Sequence, residues 1–171
     1  MIRTLDFNAF AAGTVIDTEY ADEGVTISAT GGAGEAMIFD TANPTGGDND
    51  LASDTLGGVL IISEDGDECD PDDNASGGVI AFDFDGPVTI KSLTFKDIEE
   101  TSGEGTFVRF LDDEGNVIDE QFIDPTGDGG ERTVLFDVPG ASRFEVVLSG
   151  SGAIDNLVFD DAAAPEANDD T

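Results

Sequence analysis

The sequence predicts an all-β fold in which two sheets pack as a jelly-roll-like β-sandwich. Apolar and polar residues alternate with a period of two over short stretches, as in half-buried strands. Gly, Asp, Asn and Pro separate these stretches, and no long segment shows the 3.6-residue period of an amphipathic helix. There are about eleven such stretches, a number that suits two packed sheets.

The clearest predicted hairpin has a turn at residues 112–116, where Gly115 can adopt a positive φ without steric cost. Within the predicted strand 88–96 the apolar residues change from even to odd positions, which would move them from one face of the strand to the other. This change predicts a bulge near Lys91 and Ser92. In chain order the predicted strands are 4–7, 25–29, 36–39, 59–62, 79–84, 88–96, 106–111, 117–123, 132–136, 144–148 and 154–159.

The core is expected to be rich in phenylalanine, because most of the twelve Phe residues lie within predicted strands. Arg109, in the middle of a strand, is expected to pair with Glu120 on the neighbouring strand. The Phe residues predicted to fill the core are Phe82, Phe84, Phe95, Phe107, Phe110, Phe122, Phe136, Phe144 and Phe159.

The chain of 171 residues predicts a single domain, which we place at residues 1–160. Residues 161–171 are small, polar and contain proline, which is typical of a linker or disordered tail. The N-terminal segment lacks the pattern of a signal peptide. No run of about 20 apolar residues occurs, so no membrane insertion is expected.

The charge of the chain excludes several classes of function. With 39 acidic and 6 basic residues its formal charge is −33, so nucleic acid and anionic membranes would repel it. Because there is no histidine, Ser-His-Asp triads and histidine-ligated zinc are excluded. The single cysteine, Cys69, cannot form an internal disulfide. Acidic loops that hold ionised carboxylates also lack the perturbed acid that glycoside hydrolysis needs, so we predict that the protein is not an enzyme.

The acidic residues are concentrated in one part of the chain. No basic residue occurs between Arg3 and Lys91, and residues 40–76 contain eleven carboxylates. Such carboxylates repel one another unless a cation lies among them. Calcium suits irregular loops best, because it accepts six to eight oxygen ligands in flexible geometry. The alternative is a solvated acidic surface of a salt-adapted protein.

Two clusters of oxygen ligands fit calcium, although neither has the spacing of an EF-hand. Pro44 and the pair Gly46 and Gly47 would fold the first cluster back on itself. The first cluster comprises Asp40, Asn43, Asp48, Asn49 and Asp50, and the second comprises Glu64, Asp65, Asp67, Asp70, Asp72, Asp73 and Asn74.

The blocks AMIFDTANPTGGDNDL, VLIISEDGDECDPDDNASGGVIAFDFDGPVTIKSLTF and SGSGAIDNLVF resemble calcium-dependent β-sandwich modules of large secreted proteins of marine bacteria, including the peptide-binding domain of RTX adhesins. The resemblance implies several calcium ions, a ligand pocket built from loops at one edge, and attachment of a cell to a surface or host. It implies an extracellular protein in which other domains of the same adhesin flank this one. By resemblance, the loops 40–50 and 65–74 match the calcium and ligand loops.

By the same resemblance, Asp6 and Asp155 match positions that bring the two chain ends together around a structural ion. The resulting predicted metal ligands are Asp6, Asp40, Asn43, Asp48, Asp50, Glu64, Asp65, Asp67, Asp70, Asp72, Asp73 and Asp155.

The predicted ligand is a short peptide or protein terminus, whose carboxylate would coordinate an open calcium position. The chain has no Trp and one Tyr, Tyr20, so aromatic surfaces for sugar stacking are few and a glycan is the alternative ligand. A calcium-stiffened spacer without any ligand is the other alternative. The predicted ligand-binding residues are Gly46, Gly47, Asp48, Asp50, Asp72, Asp73 and Asn74.

Overall fold

The computed structural model describes residues 1–99 and 105–162. This part of the chain contains nine strands, and all of their pairings are antiparallel. Two 3₁₀ helices of three residues each, Ala21–Glu23 and Asn49–Leu51, complete the regular structure of this part. None of the described helices is long and apolar enough to cross a membrane. The strands are β1 (Ile2–Leu5), β2 (Val25–Thr30), β3 (Ala36–Asp40), β4 (Gly58–Ile62), β5 (Gly78–Lys96), β6 (Phe107–Leu111), β7 (Val117–Phe122), β8 (Glu131–Leu148) and β9 (Ala153–Asp160).

The strands form two layers because the longest two, β5 and β8, run through both. The first half of β5 pairs with β2 and with the end of β8, which continues to β6 and β7. The second half of β5 pairs with the start of β8 and with β9, which also pairs with β1 and β4. The register of β5 against β8 shifts between Asp83 and Val88, where the strand bends from one layer into the other. The predicted all-β, jelly-roll-like sandwich is confirmed.

The predicted strands are confirmed with three changes of extent. The predicted strand 4–7 lies two residues earlier, as β1 (Ile2–Leu5), and Phe7 has a φ of 58°, which a strand does not allow. The predicted strands 79–84 and 88–96 are one strand, β5, and the predicted strands 132–136 and 144–148 are one strand, β8. The sequence analysis divided them because Gly and Pro at the bends are also typical of turns. The predicted bulge is confirmed, since the register of β5 shifts between Ile90 and Ser92.

The turn of the predicted hairpin is also confirmed. Gly115 has a φ of 84°, and the carboxylate of Asp112 accepts hydrogen bonds from the backbone N–H groups of Glu114 and Asn116. These hydrogen bonds favour the ionised form and lower the pKa of Asp112. The side chain of Asp112 therefore fixes the turn locally.

The main core lies between the two layers and is built largely of phenylalanine, as predicted. Phe144 and Phe110 are fully buried, with ring centroids 5.0 Å apart. The prediction is wrong for Phe122, which is 68 % exposed. Phe122 ends the edge strand β7 and packs against Phe107. The prediction is also wrong for Phe107, which lies outside the main core cluster and under the guanidinium of Arg109. The alternation along a strand separates two faces but does not reveal which of them is outside.

The second, smaller core covers the opposite face of β3 and β4. Met37, Phe39, Val59 and Ile61 point away from the main core and pack against the loop 41–57. This loop contributes Leu51 and Leu56, and Leu51 is fully buried. Because both faces of β3 and β4 are buried, their sequences are continuous apolar runs, and the loop 41–57 is held in place by its own leucines.

The predicted pair of Arg109 and Glu120 is confirmed, with 3.0 Å between Nε and the carboxylate. Arg109 also donates to Glu145, which in turn accepts from Arg143 at 2.9 Å. The side chain of Glu145 is 14 % exposed, whereas that of Glu120 is 43 % exposed. This row of charges crosses the solvent side of the layer that contains β6.

We expect Glu145→Gln to lower the free energy of unfolding by about 1–2 kcal/mol, because it weakens two charge-assisted hydrogen bonds at a largely buried site. The matched variant Glu120→Gln should cost less than about 0.5 kcal/mol, since exposed ion pairs contribute little. Urea denaturation of both variants checks this. Equal losses in the two variants would contradict the structural distinction between them.

Most of the predicted linker or tail, residues 163–171, lies outside the described residues. Asp161, the first residue of that predicted segment, forms an ion pair with Arg3. Strand β1 pairs with β9 over Ile2↔Asp160 to Leu5↔Leu157, so the first and the last strand of the described chain lie side by side.

Candidate functional site

The two acidic loops predicted from the sequence meet in the structure. Thr45 Oγ1 donates to the carbonyl of Pro71 at 2.6 Å, and the N–H of Gly46 donates to Asp70 Oδ1 at 2.8 Å. A Cβ atom on Gly46 would lie 2.1 Å from the Cβ of Asp72. Only glycine therefore allows the loops 40–50 and 64–74 to approach this closely. We call the place where Asp48, Glu64, Asp72 and Asp73 meet the loop junction.

Backbone hydrogen bonds orient the carboxylates of the loop junction. The N–H of Asp73 donates to Asp48 Oδ2 at 2.8 Å, and the N–H of Gly152 donates to Asp73 Oδ2 at 2.7 Å. Asp73 is buried, and Ser63, at the end of β4, forms a single bridge with it. Asp72 Oδ1 is buried and accepts no hydrogen bond within the described residues. A buried oxygen without a partner is costly, so its environment suits a bound cation.

The pKa values at the loop junction are raised. Burial, and then the charge of Asp48, raises the pKa of Asp73 to about 8. Burial, and then the charges of Glu64 and Asp65, raises the pKa of Asp72 to about 6. The pKa of Asp48 is raised as well, first by burial. These shifts mean that the folded chain by itself accommodates the negative charges poorly.

The basic residues of the chain do not neutralise the loop junction. All six lie in the described part, and the ion pairs found there use Asp83, Glu120, Asp137, Glu145, Asp160 and Asp161. Lys96 is buried and donates to the carbonyl of Gly129, while Arg132 donates to backbone carbonyls. The chain itself therefore supplies no positive charge to the carboxylates of the loop junction.

Several predicted residues serve local turns. Asp40 accepts hydrogen bonds from the N–H of Ala42 and from the side chain of Asn43, so these two predicted ligands bind each other. Asp65 and Asp67 accept hydrogen bonds from backbone N–H groups two residues further on. Such turns fix these carboxylates locally, although Asp65 still lies near enough to the loop junction for its charge to raise the pKa of Asp72.

Two of the predicted ligand-binding groups are already used within the chain. The N–H of Gly46 donates to Asp70, as described above, and the side chain of Asn74 donates to the carbonyl of Gly77 at 2.7 Å. By contrast, apart from its neighbours in the chain, no atom of residues 1–99 and 105–162 lies within 4 Å of the position that a Cβ of Gly47 would occupy. Of the two glycines, only Gly47 has open space in front of it.

The second pair of predicted metal ligands, Asp6 and Asp155, lies where β1 meets β9. Asp155 is 1 % exposed, and its burial, with smaller contributions from Asp6 and Glu131, raises its pKa to about 8. Asp155 Oδ1 accepts the N–H of Asn156, and Asp6 accepts the N–H of Asn8. The structure thus brings the two chain ends together, while the structural ion at this position stays a prediction.

The sequence analysis missed one group of acidic residues. Asp97, Glu99 and Asp128 lie beside Asp50, and one oxygen from each of the four is within 4.8 Å of the others. Asp97 directly follows β5 and Asp128 lies just before β8. Because β5 and β8 are antiparallel, the end of one lies next to the start of the other. The extents of the predicted strands did not reveal this pairing, because two other strands lie between β5 and β8 in the chain.

The donor set of these sites consists of carboxylate, amide and backbone oxygens. Hard divalent cations prefer such ligands, and calcium tolerates the irregular geometry of loops better than magnesium does. Together with the unpartnered oxygen of Asp72, this donor set fits a calcium ion at the loop junction. The residues that would hold it are Asp48, Glu64, Asp72 and Asp73.

No protein-family model and no curated protein matches the sequence. Among solved structures, a family 32 carbohydrate-binding module of C. perfringens NanJ in complex with galactose has a TM-score of 0.43 at 12 % identity, with 94 % of this chain and 100 % of that chain covered. A fucose-binding module of Streptococcus pneumoniae, SpX-3, has a TM-score of 0.36 at 12 % identity, covering 96 % and 94 %. The lectin domain of lectinolysin with Lewis B antigen has a TM-score of 0.37 at 15 % identity, covering 54 % and 70 %.

These similarities are distant. The fold described above is therefore established by the strands of this chain and their pairing, and not by the compared structures. The resemblance to RTX adhesins, calcium dependence and peptide binding stay predictions. The absence of an enzymatic activity is also still a prediction. Its premise, that the acidic loops lack an acid with a perturbed pKa, is wrong, because burial raises the pKa values of Asp72 and Asp73 to about 6 and about 8.

Proposed function

We propose that this chain is a calcium-dependent ligand-binding module of an extracellular protein, with a carbohydrate as its ligand. The observation that carries the proposal is the convergence of two acidic loops at the loop junction, where the six basic residues of the chain form no ion pair. A calcium ion there would bind Asp48, Glu64, Asp72 and Asp73 and keep one or two positions open to water, which a ligand oxygen can displace.

The charge around the loop junction favours a neutral ligand. Asp48, Glu64, Asp72 and Asp73 carry more negative charge than one calcium ion cancels, and Asp50 and Asp65 add to it. A peptide carboxylate would approach against this residual field, whereas the vicinal hydroxyls of a sugar would not. The residual negative charge therefore favours a carbohydrate over the peptide ligand that the scarcity of aromatic residues and the family resemblance predicted.

A concave surface next to the second acidic loop supplies room for such a ligand. It borders Glu68 and Cys69 and has a volume of about 520 Å³. The backbone of Gly13 approaches the carbonyl of Glu68 so closely that a Cβ on Gly13 would lie 2.1 Å from that oxygen. The segment 12–15 thus forms a wall of the depression, which offers room for a ligand beside Glu68 and Cys69 of the second acidic loop.

The test is binding of the purified chain to a glycan array and to an immobilised peptide library with varied C-termini, each in millimolar calcium and again in chelator. Galactose and fucose, the sugars named for the compared modules, serve as the first soluble competitors. We expect glycan signals that chelator abolishes and that Asp72→Asn weakens at least tenfold. The matched control is Asp113→Asn, which removes the same charge in the turn between β6 and β7.

Each other outcome contradicts a defined part of the proposal. Calcium-dependent binding confined to peptides would overturn the carbohydrate assignment and restore the recognition of terminal or acidic carboxylates. If the chain binds neither glycans nor peptides and its melting temperature still depends on calcium, the protein is a calcium-stiffened spacer. Binding that chelator leaves unchanged would overturn the role of calcium.

The wider setting belongs to the same proposal. The role of a module in a large adhesin, flanked by other domains and used for attachment to a surface or host, rests on the sequence resemblance alone. Extracellular calcium, which is abundant enough to fill sites of modest affinity, suits a protein with uncompensated acidic loops.

A further inference from the structure

We infer that Asp50, Asp97, Glu99 and Asp128 form a second calcium site, separate from the loop junction, that ties three loops together at one end of the sandwich. The four carboxylates come from the loop 41–57, from the segment after β5 and from the segment before β8. One oxygen from each lies within 4.8 Å of the others. Two oxygens bound to one calcium at 2.3–2.6 Å are at most about 5 Å apart, so the spacing of these four oxygens is compatible with ligands of a single ion.

An independent observation points to a ligand at this position. Asp97 is fully buried, and its Oδ2 accepts no hydrogen bond within residues 1–99 and 105–162. Its other oxygen, Oδ1, accepts the N–H of Gly129 at 2.7 Å. The carboxylate is therefore fixed at one oxygen and unsatisfied at the other. A buried carboxylate oxygen of this kind needs a cation or a proton.

The surrounding backbone holds Asp97 and the segment 124–130 in one arrangement. The N–H of Asp97 donates to the carbonyl of Gly130 at 2.7 Å, and the N–H of Ile98 donates to Thr126 Oγ1 at 2.8 Å. The N–H of Thr126 donates back to the carbonyl of Ile98 at 2.8 Å. A cation arriving at this place would find Asp97 already oriented, which reduces the entropy lost on binding.

The chain supplies no cation of its own to this cluster. Lys96 is the nearest basic residue in sequence, and its ammonium donates to the carbonyl of Gly129 rather than forming an ion pair. Asp50, Glu99 and Asp128 are exposed, so an ion and its remaining water ligands could enter from solvent. Three or four carboxylates with water in irregular loops are the ligand set of calcium rather than of a transition metal.

The second site would act on the loop junction through Asp50 and Gly152. Asp50 lies in the 3₁₀ helix that begins next to Asp48, and Gly152 donates its N–H to Asp73 of the junction. A Cβ on Gly152 would lie 2.7 Å from Cδ1 of Ile98, which directly follows Asp97. An ion at the second site would therefore fix the loops that carry the junction, although it would not touch a ligand itself.

The test counts bound calcium per chain by equilibrium dialysis and measures affinities by calorimetry, using the full chain without any glycan. We expect Asp128→Asn and Glu99→Gln each to lose one bound calcium ion or to bind it at least tenfold more weakly than Asp113→Asn. These two side chains are exposed, so their replacement should leave the fold intact. Asp97→Asn, which keeps an acceptor for Gly129, should show the same loss.

A second measurement separates a metal ligand from a structural carboxylate. The rise in melting temperature between chelator and millimolar calcium should be smaller in Asp97→Asn than in Asp113→Asn, whatever the stability of each variant in chelator. Unchanged calcium numbers and affinities in both Asp128→Asn and Glu99→Gln would overturn the site. Displacement of the lost ion from the wild-type chain by equimolar magnesium would overturn its assignment to calcium. Because no readout uses a glycan, failure of the carbohydrate proposal would leave this result intact.

Discussion

Removal of calcium with a chelator should lower the melting temperature of the chain by about 5–11 °C for each occupied site. An ion that binds only the folded state at a hundredfold excess over its dissociation constant stabilises it by about 2.7 kcal/mol. For a chain of this size, 1 kcal/mol corresponds to roughly 2–4 °C. The physical source is the repulsion among Asp48, Asp72 and Asp73, which burial strengthens and which the chain's own basic residues do not relieve.

The control for this experiment is a monovalent salt at the same ionic strength as the calcium solution. A salt-adapted acidic surface would be stabilised by screening alone, so sodium chloride would then raise the melting temperature as much as calcium does. Specific ions in the loops require calcium at millimolar concentration to exceed that effect clearly. Equal responses to the two salts, measured by differential scanning calorimetry, would contradict calcium binding at both acidic sites.

The second large effect is expected from Gly46→Ala, which should lower the free energy of unfolding by about 3–5 kcal/mol. Gly46 has a φ of 62°, and an L-residue with a side chain in this region costs about 1–2 kcal/mol. The added methyl would also lie 2.1 Å from Cβ of Asp72, so the two acidic loops would have to separate. Separation breaks the hydrogen bond from Gly46 to the Asp70 carboxylate, a charge-assisted bond contributing about 1.5–3 kcal/mol.

Gly47→Ala is the matched control, because Gly47 has a φ of 81° and, apart from its neighbours in the chain, no described atom within 4 Å of its Cβ position. It should cost only the backbone penalty of about 1–2 kcal/mol. Calorimetric titration with calcium should show at least tenfold weaker binding in Gly46→Ala and less than threefold weakening in Gly47→Ala. Equal stability and equal calcium affinity of the two variants would show that the close approach of the loops has no role in binding.

The composition of the chain determined which chemistry is open to it. Without histidine, with one cysteine and with a formal charge of −33, only hard cations with oxygen ligands fit it. The alternation of apolar residues likewise determined the strands, because side chains in a strand point to opposite faces with a period of two whatever their partners. Local turns such as that at Asp112 follow from the same short-range chemistry.

Only the tertiary structure decided which carboxylates meet. Asp40 and Asp48 lie in the same loop, yet Asp40 binds its own turn while Asp48 reaches Asp73 across 25 residues of chain. Asp97 and Asp128 approach each other because β5 pairs with β8. The distance between the two residues along the sequence does not reveal this pairing. The exposure of Phe122 has the same origin, since strand parity separates two faces without saying which one meets solvent. Coordination of an ion depends on distances of a few ångström between residues that are far apart in sequence. Those distances are set by the pairing of strands and by the anchoring of loops through residues such as Leu51.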